Sequence, residues 1–331
     1  MSWYDEAWGY RRQINLKGET GASINHQVLL RVAKSSSASD YDFLANESLD
    51  FPTQKNESGD LRFTDLDNNL LNFWTERVVG SGDTAVAHVW VKVAANLSSN
   101  QSIFCYFANS SATNVSDGPN TFLFFDDFDG SSIDSTNWSI PFNTGWSVSS
   151  GELRGTSSTG RVVSNTSFNA NVAVETKVRI PTLNLNGFML NGFLISSTNS
   201  VGYMIHPTTD YYRLDSGWTA TGSSLGAGAT DRRISVYAKS STADIFVKTY
   251  DTNATFYSVT GLSKTLSSTP VSLGRRYDET QLGQTYNAYW DWILVRKCND
   301  VEPTFLTAGN VEEPILTEYV LTKLQCKYTL N

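Results

Sequence analysis

The stretch "NVAVETKVRI", residues 171–180, sets Val172, Val174, Thr176 and Val178 on one face of an extended chain. A period of two belongs to a strand with one buried face, and ten residues of it describe a strand crossing a broad sheet. Around it the chain repeats the same signal. Strand candidates include "WSVSSGELRG", "GRVVSN", "GFMLNGFLIS", "VGYMIHP", "RRISVYAKS", "ADIFVKTYD" and "NAYWDWILVRK", separated by Gly, Asn, Asp and Ser clusters. Ten or more such strands predict a two-sheet jelly roll.

Upstream the pattern is similar but self-contained. "RRQINLKG", "HQVLLRVAK", "LRFTD", "LLNFWTERVV", "AHVWVKVA" and "SIFCYFAN" read as short strands, with Val89, Val91 and Val93 on one face and Trp90 and Lys92 on the other. Short strands divided by turn residues predict an antiparallel β-sandwich. The polar segment "NSSATNVSDGPN", 109–120, marks the boundary. The fold class is therefore all-β. The expected domains are 1–118, a β-sandwich; 119–312, a jelly roll; and 313–331, a C-terminal strand. In that last piece Leu324, Cys326, Tyr328 and Leu330 alternate with polar residues, as in an edge strand or a strand added to another subunit's sheet.

Composition limits what such a chain can do. With 331 residues it is long enough for two cores, and 40% hydrophobic content with 12% aromatics suits a folded protein. A net charge of -8 and the lack of any clustered run of Lys and Arg, with the pairs Arg11-Arg12, Arg232-Arg233 and Arg275-Arg276 isolated in strand contexts, argue against a nucleic-acid partner. No run of 18 apolar residues exists, so membrane insertion by a helix is not expected. The start, "MSWYDEAWGYRRQ", lacks the basic and apolar regions of a secretory signal. Cys105, Cys298 and Cys326 have no metal-binding spacing; Cys105 reads as a buried strand thiol, and a Cys298–Cys326 disulfide stays open. Nine Asn-x-Ser/Thr sequons stand against about six expected by chance, too few to establish glycosylation.

Two resemblances follow from particular residues. The aromatic-Arg opening (Trp8, Tyr10, Arg11), "DLRFTD" (60–65), "FWTERV" (73–78), "VWVKV" (89–93) and "YFANSSA" (106–112) resemble a surface-protein module, domain of unknown function family 2341. That resemblance covers roughly residues 3–120 and implies surface or secreted proteins, with no catalytic residues. The opening "FFDDFDGSSIDSTNW" (124–138) and the closing "AYWDWILVRK" (288–297) are similar to concanavalin A-like/laminin-G-like jelly rolls. In that fold the first and last strands lie close, which implies that Asp126 or Asp127 with Asp291 can hold a structural calcium ion. The competing reading is that these aspartates end strands and cap turns. Hydrolases of this fold carry Glu-x-Asp-x-x-Glu or Glu-x-Asp-x-Glu on one strand. Here the nearest strand glutamate, Glu175, stands alone.

The aromatic segment "HPTTDYYRLDSGW", 206–218, offers a ligand-binding face. Tyr211, Arg213, Trp218 and His206 suit sugar stacking and hydroxyl recognition, with Tyr212 and Leu214 on the opposite, core-facing side. The resulting expectation is a non-enzymatic surface recognition or adhesion protein that binds glycan on a host or cell surface. As an extracellular virion surface or tail component it would form homo-oligomers or contact other structural subunits. The alternative is a cell-surface adhesin or filament subunit assembled by strand exchange. An enzyme acting on polysaccharide comes third.

Overall fold

The computed structural model describes residues 3–45, 59–141, 145–156, 160–183, 189–196, 199–206, 208–215, 217–274 and 286–314. The chain divides into two compact units, with boundaries between Asp117 and Gly118 and between Glu302 and Pro303.

The first unit is a sandwich of two sheets. One has the strand order Phe43–Leu44, His26–Ala33, Val86–Val93, Phe73–Val79. The other runs Thr304–Glu312, Tyr10–Lys17, Gln101–Phe107, Arg62–Thr64, Leu70–Leu71. Val89, Val91 and Val93 enter the shared core with Ile14, Leu16, Val28, Leu30, Phe63, Ile103 and Cys105, as the alternation requires. Trp90, on the opposite face, is also buried, and its indole donates to Glu76 at 2.8 Å.

One boundary differs from the sequence reading. Residues 304–312, expected at the end of the jelly roll, form an edge strand of the first sandwich, antiparallel to Tyr10–Lys17 with Arg11 opposite Glu312 and Lys17 opposite Thr304. Phe305, Ala308 and Val311 pack on that sandwich's core, which takes apolar surface out of water. The pairing joins residues about 300 positions apart, so nothing local announces it. The expected tail strand and Cys326 lie outside the described residues.

The second unit is the jelly roll. Its larger sheet has the order Trp146–Ser149, Glu152–Thr156, Tyr286–Lys297, Val172–Leu183, Gly228–Ala238, Thr242–Thr249, Thr255–Ser263, with Phe124–Asp126 also paired to Tyr286–Lys297. The facing sheet runs Trp138–Ser139, Arg161–Phe168, Thr269–Gly274, Met189–Ser196, Asn199–Ile205, Tyr211–Leu214, Gly217–Ala220. Between them lie Val172, Val174, Val178, Phe193, Val201, Tyr203, Ile234, Val236, Leu273, Trp290 and Val295. The strand 172–183 therefore sits at the centre of its sheet, with its valines inward and Glu175, Lys177 and Arg179 on the outer face.

Candidate active site

Three adjacent central strands build a polar cluster on that outer face. Val172–Leu183 contributes Lys177, Gly228–Ala238 contributes Asp231, and Tyr286–Lys297 contributes Asp291. The Lys177 ammonium donates to Asp291 at 2.6 Å and lies 3.1 Å from Asp231. One ammonium thus bridges two carboxylates brought in by the strands on either side of it.

Asp291 reaches this face because its strand carries an extra residue. Lys177 pairs with Trp292 and Val178 pairs with Trp290, leaving Asp291 between them without a cross-strand partner position. Such a bulge re-aims side chains locally. Trp290 points inward, where its indole donates to Asn191 at 2.7 Å, while Trp292 lies on the outer side against Tyr250 and Arg233.

The electrostatics of the face are layered. Burial opposes the Lys177 charge, but Asp291 and Asp231 outweigh it and raise the ammonium pKa, so the lysine stays charged between the two carboxylates. One layer away, burial alone would raise the Glu175 carboxyl, yet Arg233 and Arg296 overcome it and hold it at about 2. Arg296 donates to Glu175 at 2.7 Å and to Tyr237 at 3.0 Å; Arg233 donates to Glu175 at 2.7 Å. Glu175, alone along its own strand, is thus a buried structural anion and no proton donor at neutral pH. On the other side Arg179 makes a forked pair with Glu152 at 3.0 and 2.6 Å.

The aspartates of the opening segment do other work. Asp126 accepts from the Trp138 indole at 2.6 Å and from the Phe128 amide at 2.8 Å, and Phe124 meets Trp138 edge to face. Burial raises the Asp126 pKa against those two bonds. Asp126 shares the inward face of Phe124, whereas Asp291 is on the outer face with Lys177, so the sheet separates them. Asp127 follows Asp126 at the strand end. Asp126 and Asp291 therefore do not share an ion, and no group of three or more His, Cys, Asp or Glu side chains that could hold a metal occurs among the described residues.

The four residues read as a sugar face do gather on one side of the smaller sheet. Arg213 stands opposite Trp218 across the strand pair, with its guanidinium 4.7 Å from the ring, and the His206 and Tyr211 rings meet at 5.7 Å. Tyr212 and Leu214 pack on the core side. Arg213 is only 2% exposed and its Nε donates to Ser200 at 2.8 Å, which makes it a support for Trp218 rather than a surface contact. Burial lowers the His206 pKa. Asp231 and Lys177 were missed by the sequence reading because the usual acid motif lies on one strand. The available signal was the charged face of an alternating central strand.

No curated protein matches the chain. Among solved structures it is similar to a β-1,3-glucanase from Mycobacterium marinum, at 10% identity over 53% of this chain and 98% of that one, with TM-score 0.40. A family 16 glycosyl hydrolase protein from Mycobacterium smegmatis shares 12% identity over 53% and 99%, with TM-score 0.41. A GH43 protein from Bacillus licheniformis shares 12% over 60% and 47%, with TM-score 0.40. These likenesses transfer neither an activity nor a residue's role. The matched proteins are described as a glucanase and a glycosyl hydrolase, not as the non-enzymatic adhesion protein expected from the sequence. That expectation is set aside. The family model described as Domain of unknown function (DUF2341) matches residues 57–141, which takes in "DLRFTD", "FWTERV", "VWVKV" and "YFANSSA" but starts after the aromatic-Arg opening.

Proposed function

We propose that the protein cleaves polysaccharide, with Asp231 and Asp291 as the carboxylate pair and Lys177 as the ammonium that bridges them. The supporting observation is the Asp–Lys–Asp cluster assembled from three neighbouring strands beside Tyr250 and Trp292. In a double displacement one aspartate attacks the anomeric carbon as the glycosidic C–O bond breaks. The leaving oxygen takes its proton from the other aspartate acting as a carboxylic acid, and Lys177 positions the pair. Water then hydrolyses the glycosyl ester and returns a proton to that aspartate.

The test is release of reducing ends from a panel of polysaccharides. Wild type is expected to cleave at least one, and Asp231→Asn and Asp291→Asn are each expected to lower the rate by about 10² to 10⁴-fold with the near-UV spectrum unchanged. Absence of cleavage across the panel, or full activity in both variants, would sink the proposal.

A further inference from the structure

We propose that the glycan is anionic and that Arg154 binds its acidic group next to the Asp231–Asp291 pair; this deepens the polysaccharide reading and rests on it. The row beside the carboxylates runs across three strands as Arg154, Tyr289 and Arg179, each cross-strand opposite the next. Both guanidiniums stack on the one ring, Arg179 at 4.0 Å and Arg154 at 5.6 Å from its centre. Their charges are used differently. Arg179 is committed to Glu152 through its forked pair. Arg154 is exposed and makes no ion pair with a carboxylate among the described residues.

An exposed arginine usually loses side-chain freedom on binding. The Tyr289 ring beneath it restricts this one in advance, so its fork has less entropy left to lose. Five N–H donors and no acceptor match a carboxylate or a sulfate ester, which accept at two oxygens, better than a neutral ring that offers mixed donors and acceptors. The position is apt as well. Tyr289 lies two residues before Asp291, about 7 Å along a strand, roughly one sugar unit from the cluster. A uronate carboxylate and a sulfate ester share this chemistry, and the experiment separates them.

The test uses the full chain carrying Asp231→Asn, so that polymer is not consumed, and measures affinity for a neutral glucan, a polyuronate and a sulfated glycan. At least one anionic polymer is expected to bind at least tenfold more tightly than the glucan, and the preference is expected to weaken with salt. Adding Arg154→Gln should abolish that preference without changing affinity for the glucan, and Arg154→Lys should restore part of it. Equal or tighter binding of the glucan, no binding to any polymer, or a preference that survives Arg154→Gln overturns the proposal. Cleavage by the wild-type chain is scored separately. Arg154-dependent binding without cleavage would refute the enzymatic reading alone, while cleavage of glucan indifferent to Arg154 would refute the anionic ligand alone.

Discussion

Glu175 is fully enclosed by Arg233, Arg296 and Ser235 on a sheet face that is polar elsewhere. Replacing it by glutamine leaves two guanidiniums short of their counter-charge in a buried place. Breaking such a pair costs about 3–5 kcal/mol, so Glu175→Gln should lower the denaturant midpoint strongly without changing the slope. Its pH behaviour has a definite sign. The folded carboxyl is held at about 2, below its ordinary value of 4.5, so the stabilisation is complete above 4.5 and is lost as pH falls toward 2. The melting temperature of wild type should drop over that window, and the part of the drop belonging to this residue should vanish in Glu175→Gln. A parallel acid limb in both proteins would show that other carboxylates carry it.

At the scale of the element, two strands are shaped by single residues. The extra residue in Tyr286–Lys297 lets Trp290 fill the core and Trp292 lie outside, with Asp291 turned to the charged face between them. Deleting Asp291 removes the bulge and makes the two tryptophans consecutive, Trp290 opposite Val178 and Trp292 opposite Lys177, so both should keep their native faces and the near-UV spectrum should stay native-like. Loss of that spectrum in a folded deletion variant would show that the bulge itself positions one of the rings. In the Met189–Ser196 strand, Gly192 has φ of 155°, and a Cβ there would stand 2.5 Å from the Val201 carbonyl oxygen and 2.6 Å from the Gly202 Cα. Both obstacles are backbone, which cannot swing aside. Gly192→Ala should cost about 1–3 kcal/mol in urea unfolding, and a change below a few tenths would mean that the strands separate easily.

For the whole molecule, the jelly roll is continuous in sequence from Gly118 to Glu302, while the first sandwich needs a strand that follows it. A fragment of residues 118–302 should therefore unfold cooperatively with native-like near-UV circular dichroism. A fragment of residues 1–117 lacks Phe305, Ala308 and Val311 and leaves Tyr10–Lys17 as an open edge. It should aggregate or remain partly unfolded, and a peptide spanning 303–314 should rescue it. Native-like stability of 1–117 alone would show that the returning strand is dispensable.

Alternation of side chains was enough to declare an all-β chain, to place Val89, Val91 and Val93 inward, and to mark the 172–178 face that packs the jelly-roll core, because inside-outside patterning is a property of the strand itself. The polar stretch at 109–120 likewise contained the first boundary. Which strand lies beside which was decided only in three dimensions. Loop closure brings Asp231 and Asp291 to opposite sides of Lys177, carries residues 304–312 back to the first sandwich, and sets Arg233 and Arg296 around a glutamate that looks solitary along the chain. The reason is physical: a strand's sequence specifies its own faces, but its neighbours follow from how the core closes and which charges must be paired once water is excluded.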